Sequence, residues 1–413
     1  MAKPKLALIP SAQGSKLYSV LPSSGVGDFT FSRSGSATRI NSQGLIETVA
    51  DGVSRLNYPM IDGVVNGCPS HLLEPERTNL QIYSEEFDNG IWNKTRASIT
   101  PNDAISPSGL LDADKLVGVS GSSSYVFDGI SVTSGDVYTI SVFTKFIDIN
   151  EFVILNFTQS GNAYFNIENG TVISNFGTFT EPKIENYGNG WYRCSAKFTA
   201  TATESVNYGF FLNNATDKSV HIWGAQFELG DFATSYIPTT TSVVTRSAET
   251  ANGSGDAATF NDSEGVLMAE ISAFEDSADT KRISLSNGTS SNRVSIYLTS
   301  FVGIVIVSGG SVILNTTITG YDITLSNKIS LKYKQNDFSL WINGFEIYIN
   351  NNGNTPNGLN ELRFDNGYSG NDFYGNTKQL QYYDSALNDN ELETLTSWVS
   401  FSDMANGQLY TIQ

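Results

Sequence analysis

Cysteine and histidine are nearly absent from this sequence, two of each in 413 residues. Two cysteines cannot frame a disulfide-stapled fold or supply a thiolate metal site, so Cys68 and Cys194 read as free, buried thiols. With only His71 and His221, a histidine-clustered metal centre is excluded and no Ser–His–Asp order can be defended. Glycine-rich phosphate loops are also missing. Long apolar runs are lacking too. The nearest, residues 301–314, is broken by Gly303, Ser308, Gly309 and Gly310, well short of the roughly 20 residues of a membrane helix; no membrane insertion is expected. Nothing at the start reads as a secretory signal, which suits assembly in a cytoplasm, although a part exported by another route would read the same.

Charge is sparse, at 16% of residues, and uneven. Residues 1–100 hold nine acidic and nine basic side chains, so the whole net charge of −18 falls in residues 101–413, with 33 acidic against 15 basic. A field of that sign repels phosphate backbones, so nucleic acid is excluded as a partner of the distal part, while sugars stay compatible. At this length two or three domains are expected.

What the chain does have is Ser, Thr, Asn, Gly and 12% aromatics, the composition of short strands joined by tight turns, and the fold class is all-β. Residues 1–82 alternate short apolar runs with Gly and Ser, none long enough for a sheet of its own, and read as an extended anchor lying against another protein or other copies of itself. Residues 83–247 carry regularly spaced strands; in Asp136–Lys145, Tyr138, Ile140 and Val142 fall on one face and Thr139 and Ser141 on the other. Residues 248–413 form a second β-module after the Thr/Ser-rich 239–245 linker. Its firmest element is a hairpin. Lys328–Lys334 points Ile329, Leu331 and Tyr333 inward, and Phe338–Ile342 turns through Asn343-Gly344 into Phe345–Ile349. Asn388–Trp398 offers an N-cap, early carboxylates and Leu392 and Leu395 on one face: one short helix.

Three regions carry a family resemblance. Lys5–Pro10, Tyr18–Pro22, Asp28–Asn41 and the neck Leu72–Tyr83 resemble the N-terminal region of tailed-phage fibre proteins. Gly190–Arg193, Ile222–Gly230 and Ala233–Pro238 resemble head-spike modules related to jelly-roll carbohydrate-binding modules. Leu340–Gly344 and Gln379–Leu392 are similar to concanavalin-like LamG domains. The resemblance implies two tandem β-sandwiches behind an N-terminal anchor, in a homotrimeric virion fibre or decoration protein of head or tail. Residues 1–82 would meet capsid or tail proteins, and the sandwiches would meet glycans on a host surface. The alternative is a carbohydrate-binding protein outside any virion, or the binding part of a polysaccharide-degrading system.

Candidate chemistry is thin, and no catalytic residue is expected. Glu270 and Glu275 fall near the Glu–x–Asp–x–Glu spacing of family-sixteen glycoside hydrolases, where retaining hydrolysis needs two carboxyls about 5–5.5 Å apart. Ser272 stands where the central Asp would be, and Glu275 enters a polar loop, so an exposed strand end is the plainer reading. Trp191, Trp223 and Trp341 fall inside strand patterns and read as core. Trp92, in a polar stretch after Asn89-Gly90, is a candidate to stack on sugar, with pinning the neck against the first sandwich as the equal alternative. Asp365–Asp372 concentrates oxygen donors, making Asp365, Asn371 and Asp372 calcium candidates, although Asn/Asp turns are also ordinary hairpin chemistry. Tyr368 and Tyr374 are candidates to line a glycan surface. No other cofactor is expected.

Overall fold

A computed structural model describes residues 2–398 except 11, 120–122 and 214–215. It is all-β, with two sandwiches in series. The first is built from two six-stranded antiparallel sheets. One runs Asn93–Thr95, Ser123–Val132, Glu204–Asn213, Glu151–Asn156, Gly161–Asn166, Thr171–Phe176; we call it the open sheet. The other runs Ala97–Ile105, Leu111–Gly118, Ser219–Leu229, Val137–Phe146, Trp191–Thr199, Phe179–Gly188; we call it the covered sheet. Alternate residues of both meet in a core that includes Phe87, Trp92, Ile140, Val142, Phe210 and Phe227.

The covered sheet is apolar on its second face as well. There Phe143, Trp191 and Trp223 pack with Ile46 from the N-terminal part and Tyr236 from the segment that follows the covered sheet's Ser219–Leu229 strand. That cover explains why Thr139 and Ser141, on the face opposite Tyr138, Ile140 and Val142, are buried as well.

The second sandwich has a five-stranded sheet and an eight-stranded one. The hairpin is as expected: Asn343 (φ 51°) and Gly344 (φ 89°) give the two left-handed positions of a type I′ turn. Helix Asp389–Ser397 carries a complete capping box between Asn388 and Glu391. Its Leu392 and Leu395 pack on Met268, Trp341 and Tyr383 of the eight-stranded sheet. The outward residues of the hairpin therefore do not all see water: Ser330 is buried and Lys332 nearly so.

The expectation of an extended N-terminal anchor is corrected. Leu6–Leu8 and Ser70–Leu73 both pair antiparallel with Gly375–Tyr383, and Phe29–Ser32 pairs with Thr250–Asn252. Leu6, Leu8, Phe29, Phe31 and Leu73 lie in the core of the second sandwich. The physical reason is the one that made these runs look dependent. Each is too short for a sheet of its own, and each finds unpaired backbone and an apolar face in the C-terminal third. Burying one such leucine stabilises by about 1.5–3 kcal/mol, an ample reason for the segment to fold back.

The neck is a stitch between the sandwiches. Glu74 and Glu249 share a buried site with three arginines. Arg33 and Arg55 donate to Glu249 at 2.8 and 2.9 Å, and Arg55 and Arg246 each lie 2.8 Å from Glu74. Burial works to raise the Glu74 pKa, but Arg246 and Arg55 overcome it and hold the carboxyl down at about 2. Asn79 closes the next layer. Its amide donates to the carbonyls of Ala225 and Ile237, and its oxygen accepts from Gln81 N and Phe227 N.

Candidate functional site

The aromatic residues that the open sheet turns away from the core are the strongest candidate surface. The pairing places Thr95, Tyr125, Phe211, Val153, Tyr164 and Ser174 in one row across all six strands. The neighbouring row is Asn93, Phe127, Gly209, Leu155, Asn162 and Phe176. Residues directly opposite in an antiparallel ladder share a face, so these rows form one continuous surface. Neither row holds a charged residue, in a chain of net charge −18.

The rings form two groups on that face. Tyr125, Phe127 and Phe157 contact one another with centroids 4.8–5.7 Å apart, and Phe211 lies 6.5 Å from Tyr125. Tyr164 meets Phe176 edge to face at 5.9 Å. Phe176 is 60% exposed and Phe157 38%; the other four are half-buried. Gly209, central in its row, lets the rings close in, since a Cβ there would come 2.2 Å from the Val126 carbonyl and 2.7 Å from the Phe127 Cβ. Apolar ring faces bordered by amides and hydroxyls can cover the CH-rich face of a pyranose while bonding its hydroxyls.

None of these six had been singled out in the sequence. The available signal was the alternation Tyr125-Val126-Phe127, but period-two patterning alone does not say which of two apolar faces is core.

The residues that were singled out scatter. Trp92 is a correction: it is 1% exposed, packs on Phe87 at 4.8 Å and donates its indole N–H to Tyr83 O at 3.0 Å. It pins the neck to the first sandwich and is closed to a ligand. Trp191, Trp223 and Trp341 are buried. Tyr368 is 42% exposed beneath the Arg293 guanidinium. Asp365 is engaged by Arg363, which reaches both its oxygens at 3.0 and 2.9 Å, and by Gly367 N. No group of three or more His, Cys, Asp or Glu suited to a metal occurs among the described residues.

Cys68 is exposed and Cys194 buried, so the expectation of two buried thiols holds for one. His71 is buried without a hydrogen-bond partner for either ring nitrogen, and burial drives its pKa down to about 3. His221 bonds Asp103 at 2.9 Å.

Glu270 and Glu275 have different partners. Glu270 is bound by Gln379 at 2.7 Å and Ser326 at 3.1 Å. Glu275, expected at an exposed strand end, is buried at the seam between the sandwiches, against Asp231. Beside the pair, Phe232 stacks on Phe274 at 5.4 Å. Burial first, then the hydrogen bond and charge of Asp231, push the Glu275 pKa up to about 7. A cavity of about 320 Å³ at this seam collects Glu275, Asp231 and Asp279 with Asn371, Asp372 and Tyr374 from the calcium and glycan candidates.

No protein-family model matches the chain, and no curated protein does. Among solved structures it is similar to the CBM40 module of the Ruminococcus gnavus IT-sialidase bound to α2,3-sialyllactose, at 20% identity and a TM-score of 0.29, covering 33% of this chain and 84% of that one. It is similar to domain 4 of AbnA, a GH43 extracellular arabinanase from Geobacillus stearothermophilus, in complex with arabinotriose: 12% identity, TM-score 0.30, 41% and 83% covered. A third likeness is to the Streptococcus pneumoniae NanB sialidase, at 15% identity and a TM-score of 0.28, covering 33% and 24%. Likenesses of this size decide neither ligand nor role.

Proposed function

We propose that this chain is an adhesion protein whose open sheet binds glycans. The observation that carries the reading is the twelve-position surface described above: six aromatic rings on or beside two rows without a charge, bordered by Asn93, Thr95, Asn162 and Asn207. Stacking accounts for the rings, hydroxyl recognition for the amides, and the lack of charge for a neutral ligand. No catalytic role is assigned to any residue.

The finer reading is a virion fibre or decoration protein of a tailed phage, presented as a homotrimer so that weak single sites gain from many-copy display. The sequence resemblance of the neck and modules supports it. A second support is the exposure of aliphatic side chains on two hairpins, Ile61 and Val64 on one and Ile105, Leu110 and Leu111 on the other, each at least half exposed and available for burial against other copies or a particle. A glycan array with the intact chain tests the adhesion reading, with Phe127→Ala/Phe157→Ala as the control that must lose signal. Mass measurement of the intact assembly tests the trimer; a monomer at all concentrations removes it.

A further inference from the structure

A cleft lies away from the open sheet, where three parts of the chain meet. It encloses about 560 Å³, within the roughly 300–1,000 Å³ of small-molecule sites. One wall comes from the N-terminal part with Asn57 and Tyr58, another from the covered sheet with Asn186, Tyr187, Tyr192 and Arg193, and the segment 233–236 before the linker closes it. It therefore exists only because the N-terminal segment folds back.

The cleft is pre-shaped. Arg193 is buried and held by Thr234 O at 2.7 Å and Ser141 Oγ at 2.9 Å, and it also bonds the Tyr187 phenol. Tyr187 in turn sits edge-on to Phe143 at 4.9 Å. The Tyr192 ring lies so close to Gly170 (φ 71°) that a Cβ there would come within 2.4 Å of it, which fixes the ring in place. Asn57 and Asn186 accept backbone N–H groups from Ile40 and Gly188 on their oxygens, at 2.8 and 2.9 Å. Their amide nitrogens are the groups left to meet a ligand.

Both lining cations are engaged: Arg39 lies on the rim but is bonded to Glu47, and Arg193 is faced by the carboxylates of Glu185 and Glu228. Of the other lining carboxylates, Glu74 is paired with Arg55 and Arg246, and Asp62 stands exposed at the rim. No cation stands ready for a phosphate or a sugar acid, and the phenols and amides are too polar for an apolar guest. Half-exposed aromatic rings and amide donors, with no free cation, fit a hydroxyl-rich molecule without an anionic group.

We propose that this cleft is a second, enclosed binding site for a short neutral saccharide, separate from the open sheet and formed only in the intact chain. The test uses the full chain in a Phe157→Ala/Phe176→Ala background, which disables the open face, titrated with maltose, cellobiose, lactose and chitobiose. At least one is expected to bind, with affinity falling about tenfold on Tyr58→Ala and several-fold on Tyr192→Phe, which keeps the ring on Gly170 and removes only the hydroxyl. If none of the four binds in that background, or if binding there ignores both tyrosine substitutions, the cleft is not a saccharide site. Failure of the open-face reading looks different: binding to wild type would be untouched by the Phe157/Phe176 pair and lost on Tyr58→Ala.

Discussion

The Phe157 ring lies 4.8 Å from the Tyr125 ring although the strand Glu204–Asn213 runs between the strand of Tyr125 and Glu151–Asn156, which Phe157 directly follows. The rings meet above that strand because Gly209 presents no side chain in the middle of it. This arrangement makes a glycine a determinant of the proposed binding surface. Gly209→Ala forces a Cβ onto the Val126 carbonyl, and the expected cost is roughly 1–3 kcal/mol, read as a lower Tm together with weaker glycan binding. An unchanged Tm would mean that the strands part without strain.

Leu8 is a sensitive reporter of the N-terminal fold-back. It is fully buried in the second sandwich, so Leu8→Ala is expected to lower unfolding stability by about 2–5 kcal/mol in urea titration. An extended segment outside the core would tolerate the change within experimental error.

Glu74 should be among the least replaceable side chains. Glu74→Ala leaves Arg55 and Arg246 buried with one carboxylate, Glu249, for three arginines, and a loss of about 3–5 kcal/mol is expected. Because its folded pKa of about 2 lies below the ordinary 4.5, its contribution is fully present above pH 4.5 and fades as pH falls toward 2. Acid titration of wild type against the variant checks the sign: the difference between them should shrink on acidification.

The seam titrates the other way. Glu275 in the folded state holds its proton up to about pH 7, against 4.5 when unfolded, so its contribution is complete below 4.5 and is lost as pH rises through 7. Glu85, also raised to about 7 mainly by burial, adds a slope of the same sign. Asp231→Asn removes the like charge beside Glu275, and the predicted result is a shallower fall in Tm between pH 5 and 8, with the Glu85 part remaining. An identical pH profile for wild type and variant would show that the Asp231–Glu275 pair does not control the seam.

Much of the fold was legible because local rules and tertiary structure agree at those places. Asn343-Gly344 demands a tight hairpin, and Asn388 with Glu391 caps a helix whatever surrounds it. The fold-back of residues 1–82 was not legible, since the partners of Leu6–Leu8 and Ser70–Leu73 at Gly375–Tyr383 lie about 300 to 376 residues away and no local pattern encodes them. The same gap explains the site residues. Trp92 was read from its polar neighbours, but Phe210, which encloses it together with Phe87, comes from a distant strand. The face carrying Tyr125, Phe127 and Phe211 stayed hidden because both sides of those strands are apolar, and only the second sheet shows which side it covers.

The most direct measurement is titration calorimetry of the intact chain with its best array ligand, wild type against Phe157→Ala/Phe176→Ala, with Tm recorded for both. Both rings are among the more exposed large side chains, so folding should barely notice their loss. The account predicts an affinity lowered at least about fivefold, at roughly 0.5–1.5 kcal/mol for each ring, with Tm nearly unchanged. Equal affinity in the two proteins would contradict the claim that the open sheet is the adhesion surface.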